Sequence, residues 1–276
     1  MLEKITKKIE PKNAKNKKEK LIKQFLNSGI FVKINEENKK MFIKLISSLG
    51  NSDELIIVSP VCPDYSAIKK APGIYEFTFK ELNTGVGIVT QKVLDNLSNL
   101  HIFFKSYGVK FRHIVAIGDF EALSKDNLKN LKLTEKKFLS RLKLSQKKLL
   151  NSTKYKIEVP LFTEIDGGFK NWKKIYKQNY SKIKKFNFGD SKMNKKLMLE
   201  IANSRIKLYE KWFGKITKKK LEEIIIKQGA EYATMGDMVS KKYSKSLIVG
   251  ADHFKMSEFY KINTNLPVLY LKNKYY

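Results

Sequence analysis

A chain of 276 residues with 42% hydrophobic content is long enough for one large domain or two small ones around a real core. Its formal charge of +29, from 56 basic against 27 acidic residues, suits nucleic acid, phosphorylated ligands or anionic membrane, and equally the lysine-rich drift of an AT-rich genome. Cys62 is the only cysteine, which excludes an intrachain disulfide and a Cys-cluster zinc site, and no run approaches the ~18 apolar residues of a membrane span. Met1 to Lys8 lacks the apolar stretch of a secretory signal, so a cytoplasmic location is expected.

Residues 1–24 carry nine lysines and three glutamates and read as a basic arm merging into a helix near Leu21 to Leu26. Met41, Phe42, Leu45, Ile46 and Leu49 then recur at helical spacing, closed by Gly50-Asn51. Leu55 to Val58 is a continuous apolar run bounded by turn residues, the pattern of a strand buried on both faces of a parallel sheet. Four further runs share it: Ile114 to Ile117, Ile157 to Leu161, Leu247 to Val249 and Val268 to Leu271. Helical patterns lie between them at Val86 to Phe104, Asn127 to Leu150, Phe169 to Ile183, Lys192 to Phe213 and Leu221 to Lys227, and Tyr232 to Met235 reads as an additional strand. Strands separated by helices predict a Rossmann-like three-layer α/β sandwich with a mostly parallel sheet. Residues 25–276 then form a single domain, with a helical insertion at about 169–214 packed over the sheet.

In such sheets ligands bind outside the carboxyl ends of the strands. Ser59-Pro-Val-Cys-Pro-Asp-Tyr-Ser66 follows the first strand and offers Ser59 as a hydroxyl nucleophile and Cys62 as a thiol one, although a structural Ser-Pro turn accounts for the same residues. Asp119 and Glu121 stand at the mouth of the next strand, fit to hold an ammonium, chelate magnesium, act as a base, or open a helix. Asp252-His253 follows a later strand as an acid/base pair or a helix cap, and Tyr232 with Asp237 sets a phenol near a carboxylate. Asn83-Thr-Gly-Val-Gly87 lacks the third glycine of a dinucleotide loop and the Gly-Lys-Ser/Thr ending of a P-loop, and the three histidines have no zinc spacing, so no cofactor is expected.

Lys129, Lys132, Lys136, Lys143 and Lys147 share one helical face, with Leu128, Leu131, Leu139, Leu142 and Leu149 on the other. A second stripe holds Lys170, Lys173, Lys174, Lys177 and Lys184 opposite Phe169, Trp172, Tyr176, Tyr180 and Ile183, aromatics whose spacing is that of a buried helical seam and which read as core ahead of the alternative, base-stacking platforms. If the two stripes align they form a groove for a phosphate backbone, making RNA the expected partner.

A strand ending in a serine, a strand ending in an acid, a long cationic helix, a strand, a helical block and then a Tyr-containing strand together resemble the tRNA-dependent cyclodipeptide synthases, Rossmann-fold relatives of class I aminoacyl-tRNA synthetases. The resemblance implies Ser59 as acceptor of an aminoacyl group, the Lys129 to Lys147 helix as tRNA contact, and Tyr232 as substrate tyrosine. The chain departs from that pattern at Ile57, where the family has glycine, at Cys62-Pro63, where it has Asn-Ser, and at Gly236, where it has glutamate. The layout is also similar to isocyanide synthases. The expected activity is a transferase on aminoacyl-tRNA or a related amino-acid substrate, using Ser59, Asp119, Tyr232, Asp237 and His253. The alternatives are an enzyme acting on a free amino acid or phosphorylated substrate, and an RNA-binding protein without catalysis.

Overall fold

A computed structural model describes residues 14–29, 34–61, 65–71, 74–79, 99–120, 128–129, 133–152, 156–213, 215–250 and 256–270. In chain order these form α1 (Ala14–Leu26), α2 (Glu36–Ser48), β1 (Leu55–Val61), β2 (Tyr65–Ala71), β3 (Ile74–Phe79), α3 (99–106), β4 (Phe111–Ile117) and α4 (Glu135–Ser152). There follow β5 (Ile157–Glu158), α5 (Gly168–Lys184), α6 (Lys195–Phe213), α7 (Lys218–Lys242), β6 (Ser246–Gly250), α8 (Ser257–Tyr260) and β7 (Val268–Tyr270).

All five apolar runs enter one sheet in the order β5-β4-β1-β6-β7, and every pairing is parallel. Counting those strands alone along the chain, the order is 3-2-1-4-5, the doubly wound arrangement of a Rossmann-like fold. Because side chains alternate across a strand, β1 feeds two cores. Leu55, Ile57 and Val61 pack with Phe25 of α1, Phe42 of α2, Phe104 of α3 and Phe138 of α4, while Ile56 and Val58 pack with α5 to α8. The predicted three-layer α/β class is the observed one.

The Tyr232 to Met235 strand expected from sequence is instead the middle of α7, a 25-residue helix capped by Thr217, whose hydroxyl accepts from Lys220 N at 3.2 Å. That stretch is buried almost all round, so its apolar continuity belongs to an interior helix and not to a strand. The antiparallel hairpin β2–β3 was not anticipated.

The lysine stripe is also divided. Residues 128–129 are helical, but Leu133 and Thr134 are not, and Thr134 begins α4 by accepting Lys137 N at 3.3 Å. Lys136, Lys143 and Lys147 therefore ride α4, Lys129 lies before its cap, and Lys132 is outside the described residues. Leu142 and Leu149 face the core as the spacing predicts.

Helix α7 crosses α8 at two glycines one heptad apart. A Cβ on Gly229 would lie 2.3 Å from the Phe259 ring, and one on Gly236 would lie 2.1 Å from the carbonyl oxygen of Tyr260. Backbone cannot yield as a side chain can, so Gly236→Ala is expected to cost about 2–3 kcal/mol through overpacking, despite alanine's better helix propensity. Urea unfolding checks this; an unchanged midpoint would contradict the crossing.

Candidate active site

The doubly wound order places its switch point between β1 and β6, where connections leave toward opposite faces and the carboxyl ends form the usual ligand crevice. The segments leaving both strands there, Cys62 to Asp64 and Ala251 to Lys255, lie outside the described residues, and so do Glu121, Asp252, His253 and the Asn83 to Gly87 loop.

Ser59 sits two residues before the end of β1, opposite Val115 of β4 in the register. Its side chain shares a face with Ile57 and Val61, the same face that His113 shares with Val115 and Ile117 on the neighbouring strand. Ser59 Oγ lies 2.9 Å from His113 Nε2, and His113 Nδ1 lies 2.7 Å from Nε2 of His101 on α3. Ser59 is 0% exposed, His113 2% and His101 6%, so three polar side chains form a hydrogen-bonded chain inside an apolar core. Burial pushes the His113 imidazole down to about 3, with neighbouring His101 adding to the effect, and burial pushes His101 down to about 4. Both rings are neutral at pH 7. Either the Ser59 hydroxyl donates to His113 and His113 to His101, or the whole chain runs the other way. Sequence reading found Ser59 but not these partners, because they lie 54 and 42 positions away; the signal was a histidine of matching alternation on the next strand.

Asp119 lies two residues beyond β4 and is 1% exposed. Thr163 donates to it twice, from its hydroxyl at 2.6 Å and its backbone N–H at 3.2 Å. Burial outweighs these donors, and with Glu164 nearby the carboxyl is pushed up to about 6. It can therefore change protonation close to neutral pH.

Tyr232 and Asp237 share α7 but have separate surroundings. The Tyr232 ring stacks on Tyr260 at 4.8 Å and 5°. Asp237 accepts from Asn179 Nδ2 at 2.9 Å and from Asn263 Nδ2 at 3.1 and 3.0 Å, and burial raises its pKa against the pull of these amides and of Lys182. At Gly236, where the resembling family carries glutamate, the Tyr260 carbonyl occupies the space a side chain would need.

Lys129, Lys136, Lys143 and Lys147 are exposed, as are Lys173 and Lys177. The two stripes belong to different layers: α4 packs through Phe138 and Leu142 on one face of the sheet, and α5 through Trp172 and Ile183 on the other. They therefore do not face each other across one groove between two helices. A cavity of about 750 Å³ bordered by Glu37, Lys40, Lys44, Lys192 and Pro267 opens near the amino ends of β6 and β7, the edge opposite the strand-end crevice. Among the described residues no group of three or more His, Cys, Asp or Glu could hold a metal, and no helix is long and apolar enough to cross a membrane.

No protein-family model matches the chain, and no curated protein matches it. Among solved structures, it is similar to tryptophanyl-tRNA synthetase from the hyperthermophilic archaeon Aeropyrum pernix K1, at 12% identity and a TM-score of 0.41, over 84% of this chain and 52% of that one. The chain thus spans about half the length of that synthetase.

Two histidines held neutral give the fold a pH dependence. Unfolded, they take up protons below their ordinary value of 6.5; folded, they do not until about 4 and 3. The stability this gives is complete above pH 6.5 and is lost as pH falls toward those folded values. Asp119 and Asp237, raised by folding, act in the opposite direction. Between pH ~6.5 and ~5, wild type is therefore expected to lose about 1.6 kcal/mol more than His113→Gln, the slope rising toward about 1.4 kcal/mol per pH unit as the unfolded imidazole becomes fully protonated. Urea titrations of both proteins check this, and equal losses would contradict a buried neutral His113.

Proposed function

We propose that this chain is a transferase acting on an aminoacyl-tRNA or related amino-acid-derived substrate, in the manner of the cyclodipeptide synthases whose layout it resembles. The observation that carries the reading is the Ser59–His113–His101 chain near the carboxyl end of β1, beside the switch point of the sheet.

In the tautomer with Ser59 donating, His113 Nε2 takes the hydroxyl proton as Oγ attacks the aminoacyl ester carbonyl. The bond from that carbonyl to the ribose oxygen breaks, the ribose oxygen takes the proton from His113, and the aminoacyl group remains on Ser59 as an ester. The amine of a second aminoacyl group then attacks that ester and regenerates the hydroxyl. Burial keeps the imidazole in its base form, and its low pKa means the proton stays there only during the transfer. Asp119, at the neighbouring strand end with a carboxyl that titrates near neutrality, is suited to receive the α-ammonium or move its proton. Tyr232, Asp237 and His253 complete the proposed set. The exposed lysines of α4 supply phosphate contacts for the RNA.

A second reading has its own observation: Ser59 is 0% exposed and both imidazoles are packed among aliphatic and aromatic side chains. On that reading the chain of three is a structural bridge, and the protein binds RNA without catalysis.

Untargeted mass spectrometry of cells expressing wild type or Ser59→Ala separates the two. The transferase reading expects a new metabolite that vanishes in the variant, and an aminoacyl adduct on the intact wild-type protein alone. Identical metabolite profiles with no adduct would remove it. RNA is expected to co-purify with wild type and to be lost when Lys136, Lys143 and Lys147 all become glutamate, with affinity falling by about 0.7 log unit per log unit of salt for each neutralised single-strand phosphate. Undiminished RNA in that variant would exclude α4 as the contact.

A further inference from the structure

Helix α5 carries more than its share of the core. Trp172 and Ile183 are fully buried, yet Phe169 on the same helix is 50% exposed, and Tyr176 and Tyr180 are half-buried. With Phe120, which directly follows Asp119, these rings form a ladder. Phe169 lies 5.7 Å from Phe120 at 37° and Phe120 4.5 Å from Tyr176 at 46°, both tilted contacts, and Tyr176 stacks on Tyr180 at 6.1 Å and 24°. Lys173 stands over the Phe169 ring at 6.0 Å and Lys184 over the Tyr180 ring at 5.9 Å. Over its length α5 has six lysines, all exposed, and no acidic residue. The nearby carboxylate of Asp166 is already paired with Lys241 at 3.3 Å.

From this we infer that the Phe169–Phe120–Tyr176–Tyr180 ladder is a stacking platform for unpaired nucleotides of an RNA strand, running from the carboxyl edge of the sheet beside Asp119 along α5. Aromatic faces accept the faces of unpaired bases, and the exposed lysines of the same helix meet the phosphates that join them; a duplex, its bases already stacked, has no faces to offer. An anionic strand also answers the charge of the helix, whereas a basic or purely apolar partner does not. The inference rests on the reading of the substrate as RNA-linked, and it assigns the single-stranded end of that RNA to α5 and the opposite layer, α4, to its phosphate backbone.

The test uses the full chain and a fluorescently labelled RNA of about eight unpaired nucleotides, compared by anisotropy with an abasic oligomer of the same length. Wild type is expected to bind the RNA about tenfold or more tightly than the abasic strand. Phe169→Ala and Tyr176→Ala should each weaken RNA binding by about five- to tenfold and leave the abasic oligomer unchanged, in line with loss of one stacking contact. Lys173→Glu should weaken both alike. Phe169 is half exposed, so its replacement leaves the core intact, and Tyr176→Phe, which keeps the ring, should retain the preference. Equal affinity for the two oligomers, an unchanged ratio in Phe169→Ala, or tighter binding of a DNA of the same sequence would overturn the inference. Failure here is distinguishable from failure of the transferase reading: Ser59→Ala should keep the base preference, and a Ser59-dependent product without base preference would remove the platform alone.

Discussion

Strand β1 is hydrogen-bonded along both edges, to β4 on one side and β6 on the other, so neither its backbone nor its side chains can shift without disturbing two ladders and two cores. Ile56 and Val58 are committed to one hydrophobic layer, Leu55, Ile57 and Val61 to the other. A register slip of one residue would send every one of them to the wrong face. This constraint fixes Ser59 on the same side as His113 and holds the two hydroxyl and imidazole atoms within hydrogen-bond distance. It also fixes where the sheet reverses its winding, between β1 and β6, and hence where a ligand crevice belongs.

A polar chain inside an apolar layer is costly unless each member has a partner, and here each link supplies one. The contrast with α7 is instructive. Tyr232, Gly236 and Asp237 look in sequence like a depleted version of a substrate-binding motif, but Gly236 is required by the Tyr260 backbone, Tyr232 stacks on the Tyr260 ring, and Asp237 is held by two asparagines. The glutamate absent from this chain has no room to exist, so any amino-group recognition here must be built differently from the resembling family. Asp119, two residues beyond the end of β4, is a buried carboxyl pushed up to about 6.

The sheet was legible because five short apolar runs between turn residues leave little alternative to buried parallel strands, and helical leucines such as Leu142 and Leu149 announced their inward face. Tyr232 to Met235 reads as a strand since a buried helix and a buried strand are both continuously apolar, and only the length from Thr217 to Lys242 decides between them. The Lys129 to Lys147 periodicity was real beyond Thr134 but not across it, and the Leu-Thr-Glu sequence there was a cap signal overridden by the charge pattern. Hairpin β2–β3 carries only a short alternation that its lysines obscure. Coupling of Ser59 to His113 and His101 depends on tertiary register, which single-sequence periodicity does not contain. The same holds for the aromatics of α5: spacing put all of them in the core, and packing admits Trp172 while leaving Phe169 half in solvent.

The proposed chemistry requires the Ser59, His113 and His101 side chains to form one neutral hydrogen-bonded unit in solution. Long-range nitrogen–proton correlation spectra of the imidazoles at about pH 6, half a unit below the ordinary histidine value, test this most directly. Two neutral rings are predicted, each with one protonated and one bare nitrogen, and Ser59→Ala should move the His113 Nε2 resonance while leaving the fold intact. Charged imidazoles at that pH, or a His113 Nε2 indifferent to the loss of the serine hydroxyl, would contradict it.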